Sequence, residues 1–513
     1  MKYSGILSKF LIAGTVLWGL MLLLWMAIFQ MPFHDFCATF AAQLSLPRYL
    51  RLTQAITHPT GSLIIEGFAW SMAATILWRK NGSTTKFLSI VSAAVATLFV
   101  IQLSLIQPFA ICAVPGEMLP VPFEEAPFPV AMRHWAAMPH TLLFCFTKPL
   151  TAIACALALC TQKWNRAIPL ALILWSTGIL LGMAWSANSP GWGHMWNWDA
   201  VENLSLSVEL LLLTLVADHF TDAPGTTFHR LKNITLFLSS VAVFWITFSV
   251  RSGFLRGSIH AFTGNASSSA IWMIALILWL TALIFLKHYS KVSENLPSNY
   301  PHIPAIRKTF FLLGISCVTF LFSSQCLLFF RNITLSSTAY DLYIGISVLA
   351  AMILLAIQVI KCHRFNIRQA LFYALPLICL GTLAATATDR ESNVLLPLDQ
   401  EVSIHQQSWR FMGIQPNTFY SENHLNFFIL KNNQNTVQPK LIYYNSQTSG
   451  SVDDNSCTWL YCDRLRVLQY RANEGVSVNI LRENGRPIFW AAAIVLLIAT
   501  SVATLRSSNT SQK

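Results

Sequence analysis

Long apolar runs alternate with short polar breaks along almost the whole chain. Runs long enough to cross a bilayer fall at roughly 10–29, 62–78, 87–106, 141–160, 167–184, 203–217, 233–250, 270–286, 310–330, 342–360, 370–386 and 487–505. The pattern predicts about twelve transmembrane helices. Two stretches interrupt it. Residues 185–203, WSANSPGWGHMWNWDAVEN, set Trp185, Trp192, Trp196 and Trp198 among Gly, Pro, Ser and Asn. A backbone broken in this way cannot cross lipid, because its N–H and C=O groups would go unpaired. It is expected at a membrane–water interface, where an indole is half apolar and half hydrogen-bonding. Residues 387–486 are the second interruption. Short alternating runs such as VSIHQQSWRFMGI and HLNFFILKNN, punctuated by Asn, Gly and Asp, predict a small β domain. The expected organisation is a transmembrane domain over 1–386, a β domain over 387–486, and a final helix with its tail over 487–513. The fold class is therefore an all-α polytopic membrane protein with one small β domain before its last helix.

Composition agrees: 54% of the 513 residues are hydrophobic and 11% are charged. The net charge of +12 is scattered through short loops, and no Lys/Arg block marks a nucleic-acid partner. With the N-terminus inside, alternate loops hold eighteen Lys and Arg on the inner side. The short outer loops hold six: Arg48, Arg51, Arg133, Arg251, Arg256 and Arg331. This bias orients the chain. It places the N-terminus in the cytoplasm and the Trp-rich loop and β domain outside, in the periplasm if the membrane is a bacterial inner membrane. The run Phe10–Phe29, preceded by Lys2 and Lys9, is too long for a signal h-region and lacks a small-residue cleavage site. It reads as a retained helix. Of the eleven cysteines, Cys145, Cys155, Cys317 and Cys379 lie in apolar runs and are expected as small core residues. Cys457 and Cys462 flank TWLY inside the β domain. That spacing fits neither zinc nor a thioredoxin site, but a local disulfide suits an oxidising compartment. CxxCH is absent, so the chain is not itself a c-type cytochrome.

Asp199, with Glu202 three residues on, precedes the apolar run Leu204–Val216, which is a capping-box arrangement. Asp199 therefore reads both as a helix cap and as a neighbour of a ligand. Of thirteen histidines, His140 in AAMPHTLLF and His260 in VRSGFLRGSIHAF flank the Trp-rich loop on its own side of the membrane. Two neutral imidazoles opposed across a planar macrocycle give six-coordinate heme iron. Tryptophans would pack along the porphyrin edge, and Arg251 and Arg256 would meet its propionates through paired donors. The plainer alternatives are an aromatic belt for the tryptophans, surface polarity for any single loop histidine, and an interface anchor for Arg251. Glu66, Lys148 and Glu209 fall within apolar runs, where charge is costly and often functional. A secondary transporter would use such charges, but it predicts inverted repeats that are not visible, and it leaves the Trp-rich loop unexplained.

Several segments together resemble the heme-handling superfamily of cytochrome c maturation marked by a tryptophan-rich WWD domain, and within it the CcmF branch. They are GWGHMWNWDAVEN at 191–203, SVRSGFLRGSIHAF at 249–262, PHTLLF at 139–144, HPTGSL at 58–63 and TDRESNVLLPLDQEVSI at 388–404. The resemblance implies a subunit of a heme lyase. It would take heme b from the periplasmic chaperone CcmE and join it to apocytochrome c presented by a CcmH-type thiol protein. His140 and His260 match the family's two periplasmic heme ligands. Trp192, Trp196 and Trp198 match its aromatic platform, with Trp185, Asp199 and Asn203 alongside. Two thiols add across the heme vinyl groups, so the protein's part is to hold the macrocycle, leave its vinyl edge open and set the iron through its ligands. No catalytic nucleophile is expected.

The chain departs from the family pattern in places. Met195 precedes Trp196 where the family pairs two tryptophans, and His194 stands where Gly is usual. The family also carries a resident b heme between two membrane histidines. Here His219 lies about two residues past the first position, and Tyr373, in ALFYALPLICLG, occupies the second, with His363 the nearby histidine. The CcmC branch, which loads heme onto the chaperone, is the alternative within the superfamily. The large domain before the last helix argues against it.

Overall fold

The structure, a computed structural model, describes residues 2–30, 47–106, 109, 132, 134–188, 195–221, 229–252, 266–289, 305–331, 335–362, 370–384 and 389–510, with short breaks at 406, 419–422, 433–434, 445–446, 453, 459–460 and 472–473. The chain divides into two compact units: Met1–Gly182, Asp199–Thr334 and Thr500–Lys513 in the first, Met183–Trp198 and Leu335–Ala499 in the second.

The first unit is helical: α1 (Lys2–Gln30), α2 (Arg48–Thr57), α3 (Pro59–Arg79), α4 (Ser83–Ile106), α5 (Ala137–Thr161), α6 (Ala167–Asn188), α7 (Ala200–Thr221), α8 (His229–Arg251), α9 (Ala266–Tyr289) and α10 (Ala305–Arg331). The last turns of α6 group with the second unit. Along the described chain, ten helices are long and apolar enough to cross a membrane. The remaining two expected spans coincide with the shorter apolar stretches Leu312–Leu328 and Leu371–Ala384. The protein is a multi-pass membrane protein.

Helix α2 has no counterpart in the sequence reading, because ten residues are too few for a span. It buries Leu50, Thr53, Gln54, Ala55 and Ile56. Its end is fixed by Trp25 of α1, whose Nε1 donates to the Ala55 carbonyl at 2.8 Å. His58 then caps α3 by accepting the Thr60 N–H on Nδ1 at 3.2 Å, and Pro59 opens the helix. Gly61 allows this tight join: a Cβ there would stand 1.8 Å from the Ala55 oxygen.

In the second unit, α11 (Ser337–Cys362) is followed by a π-helical turn (Ala370–Ala374), α12 (Leu375–Ala384), ten strands and the start of α13 (Arg486–Thr510), whose residues from Thr500 group with the first unit. The strands make two antiparallel sheets. One has the order β1 (Arg390–Leu396), β10 (Gly475–Asn484), β9 (Tyr461–Arg471), β8 (Asp454–Cys457). The other has β2 (Glu401–Ile404), β3 (Gln407–Thr418), β4 (Asn423–Lys431), β6 (Lys440–Tyr444), β7 (Gln447–Val452), with β5 (Thr436–Val437) on β4. Alternate residues point to one face of a strand, and Val476, Val478 and Ile480 of β10 join Leu396, Trp409, Phe411, Phe428 and Leu465 in one buried core. Cys457 and Cys462, paired across the β8–β9 ladder, form a disulfide.

Candidate functional site

His140 lies in the first turn of α5. Its Nδ1 is 2.8 Å from the carbonyl oxygen of Gly178 on α6. A carbonyl only accepts, so Nδ1 is the donor of this bond. The ring is fixed on two further sides. Phe144, one turn along α5, meets it edge-on at 5.0 Å. Gly182, one turn along α6 from Gly178, lies so close that a Cβ there would be 2.6 Å from the imidazole Cε1. These glycines form a G-x-x-x-G step, the sequence signal for close helix approach.

Deeper in the first unit, the charges of the apolar runs meet one another. Glu66 of α3 is 1% exposed, and its Oε2 accepts from Lys148 Nζ of α5 at 3.0 Å and from Arg251 Nη2 of α8 at 3.2 Å. Thr247 donates to Oε1 at 3.4 Å, and Arg251 also donates to Ser62 Oγ at 3.3 Å. The guanidinium lies 5.9 Å from the Trp272 ring centre. Arg251, expected at a propionate, is thus engaged within the helical unit. Glu209 of α7 pairs with Ser176 of α6 at 2.5 Å.

Asp199 accepts the N–H groups of Val201 and Glu202 at 2.9 and 2.7 Å, while Glu202 accepts the Asp199 N–H at 3.2 Å. These are the bonds of a capping box. Asn203 is fully buried in the first turn of α7. His219, at the other end of α7, stacks on Trp164 at 3.9 Å with the planes 11° apart, and Lys232 lies over the same indole.

In the second unit the tryptophans are held by partners far along the chain. Trp185, Trp196 and Trp198 are buried. Trp198 donates from Nε1 to Asp341 of α11 at 2.7 Å and stacks on Tyr340 at 5.6 Å. Its φ of 54° is in the left-handed region that bulky residues avoid. Trp196 meets Trp198 edge-on at 5.7 Å. Just before it, the Met195 N–H donates to Glu483 of β10 at 3.1 Å. Arg464 of β9 donates to the Ala187 carbonyl at 3.2 Å. Close by, burial pushes the Asp389 carboxyl up to about 7, helped by the like charges of Glu483 and Asp341 and opposed by the Asn484 N–H and Arg464.

His260, Trp192, Arg256, His194 and His363 lie outside the described residues. Asp341, Tyr340, Glu483 and Arg464 were not singled out from the sequence, because each acts on a residue far from it along the chain. Gly178 and Gly182 carried a readable signal, the four-residue glycine spacing.

No family model matches the chain. A CcmF N-terminal-like mitochondrial protein of cytochrome c biogenesis from Arabidopsis thaliana is 33% identical over 115 residues, 21% of this chain and 53% of that protein. The cytochrome c-type biogenesis protein NrfE of Haemophilus influenzae is 26% identical over 270 residues, 49% of this chain and 41% of that protein. CcmF of Escherichia coli is 31% identical over 138 residues, 26% of this chain and 21% of that protein. The chain therefore spans about half or less of the length of these relatives. A solved cytochrome c heme lyase CcmF has the same fold, with a TM-score of 0.52 and 18% identity over 90% of this chain and 85% of that one. The chain is thus similar over part of its length to cytochrome c-type biogenesis proteins named CcmF and NrfE, and it has the fold of the solved CcmF.

Proposed function

We propose that the protein serves cytochrome c biogenesis by binding heme at the periplasmic Trp-rich site and supporting its attachment to apocytochrome c, as part of a heme lyase. His140 and His260 are the axial ligands in this reading. Heme b is the substrate, delivered by a CcmE-type chaperone, and the CxxCH segment is presented by a CcmH-type thiol protein. Each thiol adds across a vinyl group: sulfur bonds to one vinyl carbon, the proton goes to the other, and nothing leaves. The chain's own residues have to hold and orient the macrocycle, and no nucleophile is needed from them.

The observation that carries the reading is the Nδ1–H···O=C bond from His140 to Gly178. With Nδ1 bonded to a carbonyl, Nε2 is the nitrogen that would bind iron in this reading, and such a second partner is what fixes the ring of a metal-bound histidine. Arg251 is tied to Glu66, so its contribution to propionates is indirect, and Arg256 takes that role. A resident heme is not part of the proposal. His219 stacks on Trp164 through its ring face, and the resemblance puts Tyr373 where the family's second imidazole would stand.

The test is the absorption spectrum of the detergent-purified, full-length protein titrated with hemin, oxidised and reduced. Wild type should give a low-spin bis-histidine spectrum. His140→Ala should lose it, and cells carrying the variant should lose holocytochrome c while keeping the protein in the membrane. An unchanged spectrum and normal holocytochrome levels in His140→Ala would remove the ligand assignment.

A further inference from the structure

We propose that Arg464 and Glu483 form a clasp in which the β domain grips both limbs of the Trp-rich loop and so sets the position of Trp196. They are positioning residues, and the inference rests on reading the tryptophans as a heme platform.

The clasp is read from backbone contacts. Ala187, in the last turn of α6, is on the limb that enters the loop, and its carbonyl accepts from Arg464 Nη1 at 3.2 Å. Met195 is on the limb that leaves, and its N–H donates to Glu483 Oε1 at 3.1 Å. The two side chains sit on neighbouring strands. Arg464 is paired in register with Leu481, two residues before Glu483, so Arg464 and Glu483 are diagonal neighbours on one face of the β9–β10 ladder. Their charged groups approach to 3.9 Å, with 3% and 5% exposure. Glu483 is held from its other oxygen by Arg486. One buried ion pair therefore fixes two backbone points that lie 277 and 288 residues away from it in sequence.

Both contacts satisfy groups that would otherwise be costly. The Ala187 carbonyl is among the last of α6, where helical partners run out. The Met195 N–H is buried in an irregular segment, where an unpaired donor is expensive. From Met195 the chain passes directly to Trp196, then to Trp198, which Asp341 and Tyr340 hold in its strained backbone. Trp196 is thus suspended between two anchors, one on the β domain and one on α11. If the Met195 anchor is lost, Trp196 is tied only from its far side.

The experiment compares Glu483→Gln, Arg464→Met, Arg464→Lys and Trp196→Ala in the full-length, detergent-purified protein. Hemin affinity and the heme spectrum are measured well below each variant's thermal midpoint. Glu483→Gln and Arg464→Met should weaken hemin binding about tenfold, the size of effect expected from supporting groups, while the bound heme keeps its bis-histidine spectrum. Arg464→Lys, which keeps the charge and one donor, should stay within about threefold of wild type and serves if the Met variant does not fold. In a Trp196→Ala background, Glu483→Gln should add little, because both act through the same ring. If Trp196→Ala weakens hemin but the clasp variants bind like wild type, the clasp is refuted and the platform stands. If Trp196→Ala also binds like wild type, the platform reading fails and the clasp with it.

Discussion

The cluster of Glu66, Lys148 and Arg251 makes an asymmetric prediction. Two cations share one carboxylate oxygen at 3.0 and 3.2 Å, and all three groups are buried between helices α3, α5 and α8. Glu66→Gln removes the only anion of this set and leaves an ammonium and a guanidinium without the carboxylate they share. Breaking a buried pair by removing one partner costs about 3–5 kcal/mol, and repulsion between the remaining cations adds to it. Lys148→Met does the opposite. It leaves Glu66 with Arg251, one charge against one, with Thr247 and Ser62 still bonded to them. Methionine also fills most of the space of the lysine stem. The cost should then fall within about 1 kcal/mol, because an excess buried cation has been removed. The measurement is equilibrium unfolding of the detergent-solubilised protein in a denaturing detergent titration, followed by helical circular dichroism. Glu66→Gln should shift the midpoint strongly and Lys148→Met hardly at all. Equal losses from both, or an unaffected Glu66→Gln, would show that water or other groups screen the cluster and would refute the charge count.

Two further predictions are smaller in scope. Gly182→Ala should push the His140 ring off its Gly178 bond, since the new Cβ would lie 2.8 Å from Nδ1; hemin titration should show weaker binding, by about tenfold, although the histidine is retained, and wild-type affinity would refute the packing argument. Asp389 has a folded-state pKa raised to about 7 from 3.8, so its contribution to stability is greatest below about pH 4 and falls as pH rises toward 7. Asp389→Asn cannot ionise, so it should match wild type near pH 4 and be more stable by about 1–2 kcal/mol at pH 8, after discounting for partial exposure; thermal unfolding at the two pH values checks this, and a pH-independent difference would contradict it.

What could be read from the sequence was whatever rests on local spacing. Apolar runs of about twenty residues mark helices because lipid forces backbone pairing within each segment, and the positions of the spans follow. The Asp199–Glu202 box was visible because a cap and its partner are three residues apart. Helix α2 was missed because a ten-residue helix leaves no long apolar run. Lys148 stood only as a charge in an apolar run, since its partner Glu66 is 82 residues upstream. Arg251 was read toward a propionate because a guanidinium matches a carboxylate by paired donors; the carboxylate it meets in the structure is Glu66, 185 residues upstream. Asp341 and Glu483 gave no signal: hydrophobic periodicity does not report which carboxylate will meet an indole N–H or a loop amide from 143 or 288 residues away.

The backbone at Trp198 separates the roles of the tryptophans. A tryptophan in the left-handed region costs about 1–2 kcal/mol, and an indole in an aromatic belt has no reason to accept that strain. Here a charge-assisted bond to Asp341, worth about 1.5–3 kcal/mol, and a stack on Tyr340, worth about 0.5–1.5 kcal/mol, offset it. Those contacts occupy the N–H and one face of Trp198, which makes it a pillar. Trp196 differs: among the described residues its buried Nε1 has no hydrogen-bond partner, and its contact with Trp198 is edge-on. The indole donors of Trp245, Trp272 and Trp409 are also without a partner among the described residues, so the open donor alone does not single out Trp196. On the proposed reading of the tryptophans as a heme platform, Trp198 is its support, and the anchors on α11 and on the β domain converge on the short segment between Met195 and Trp198.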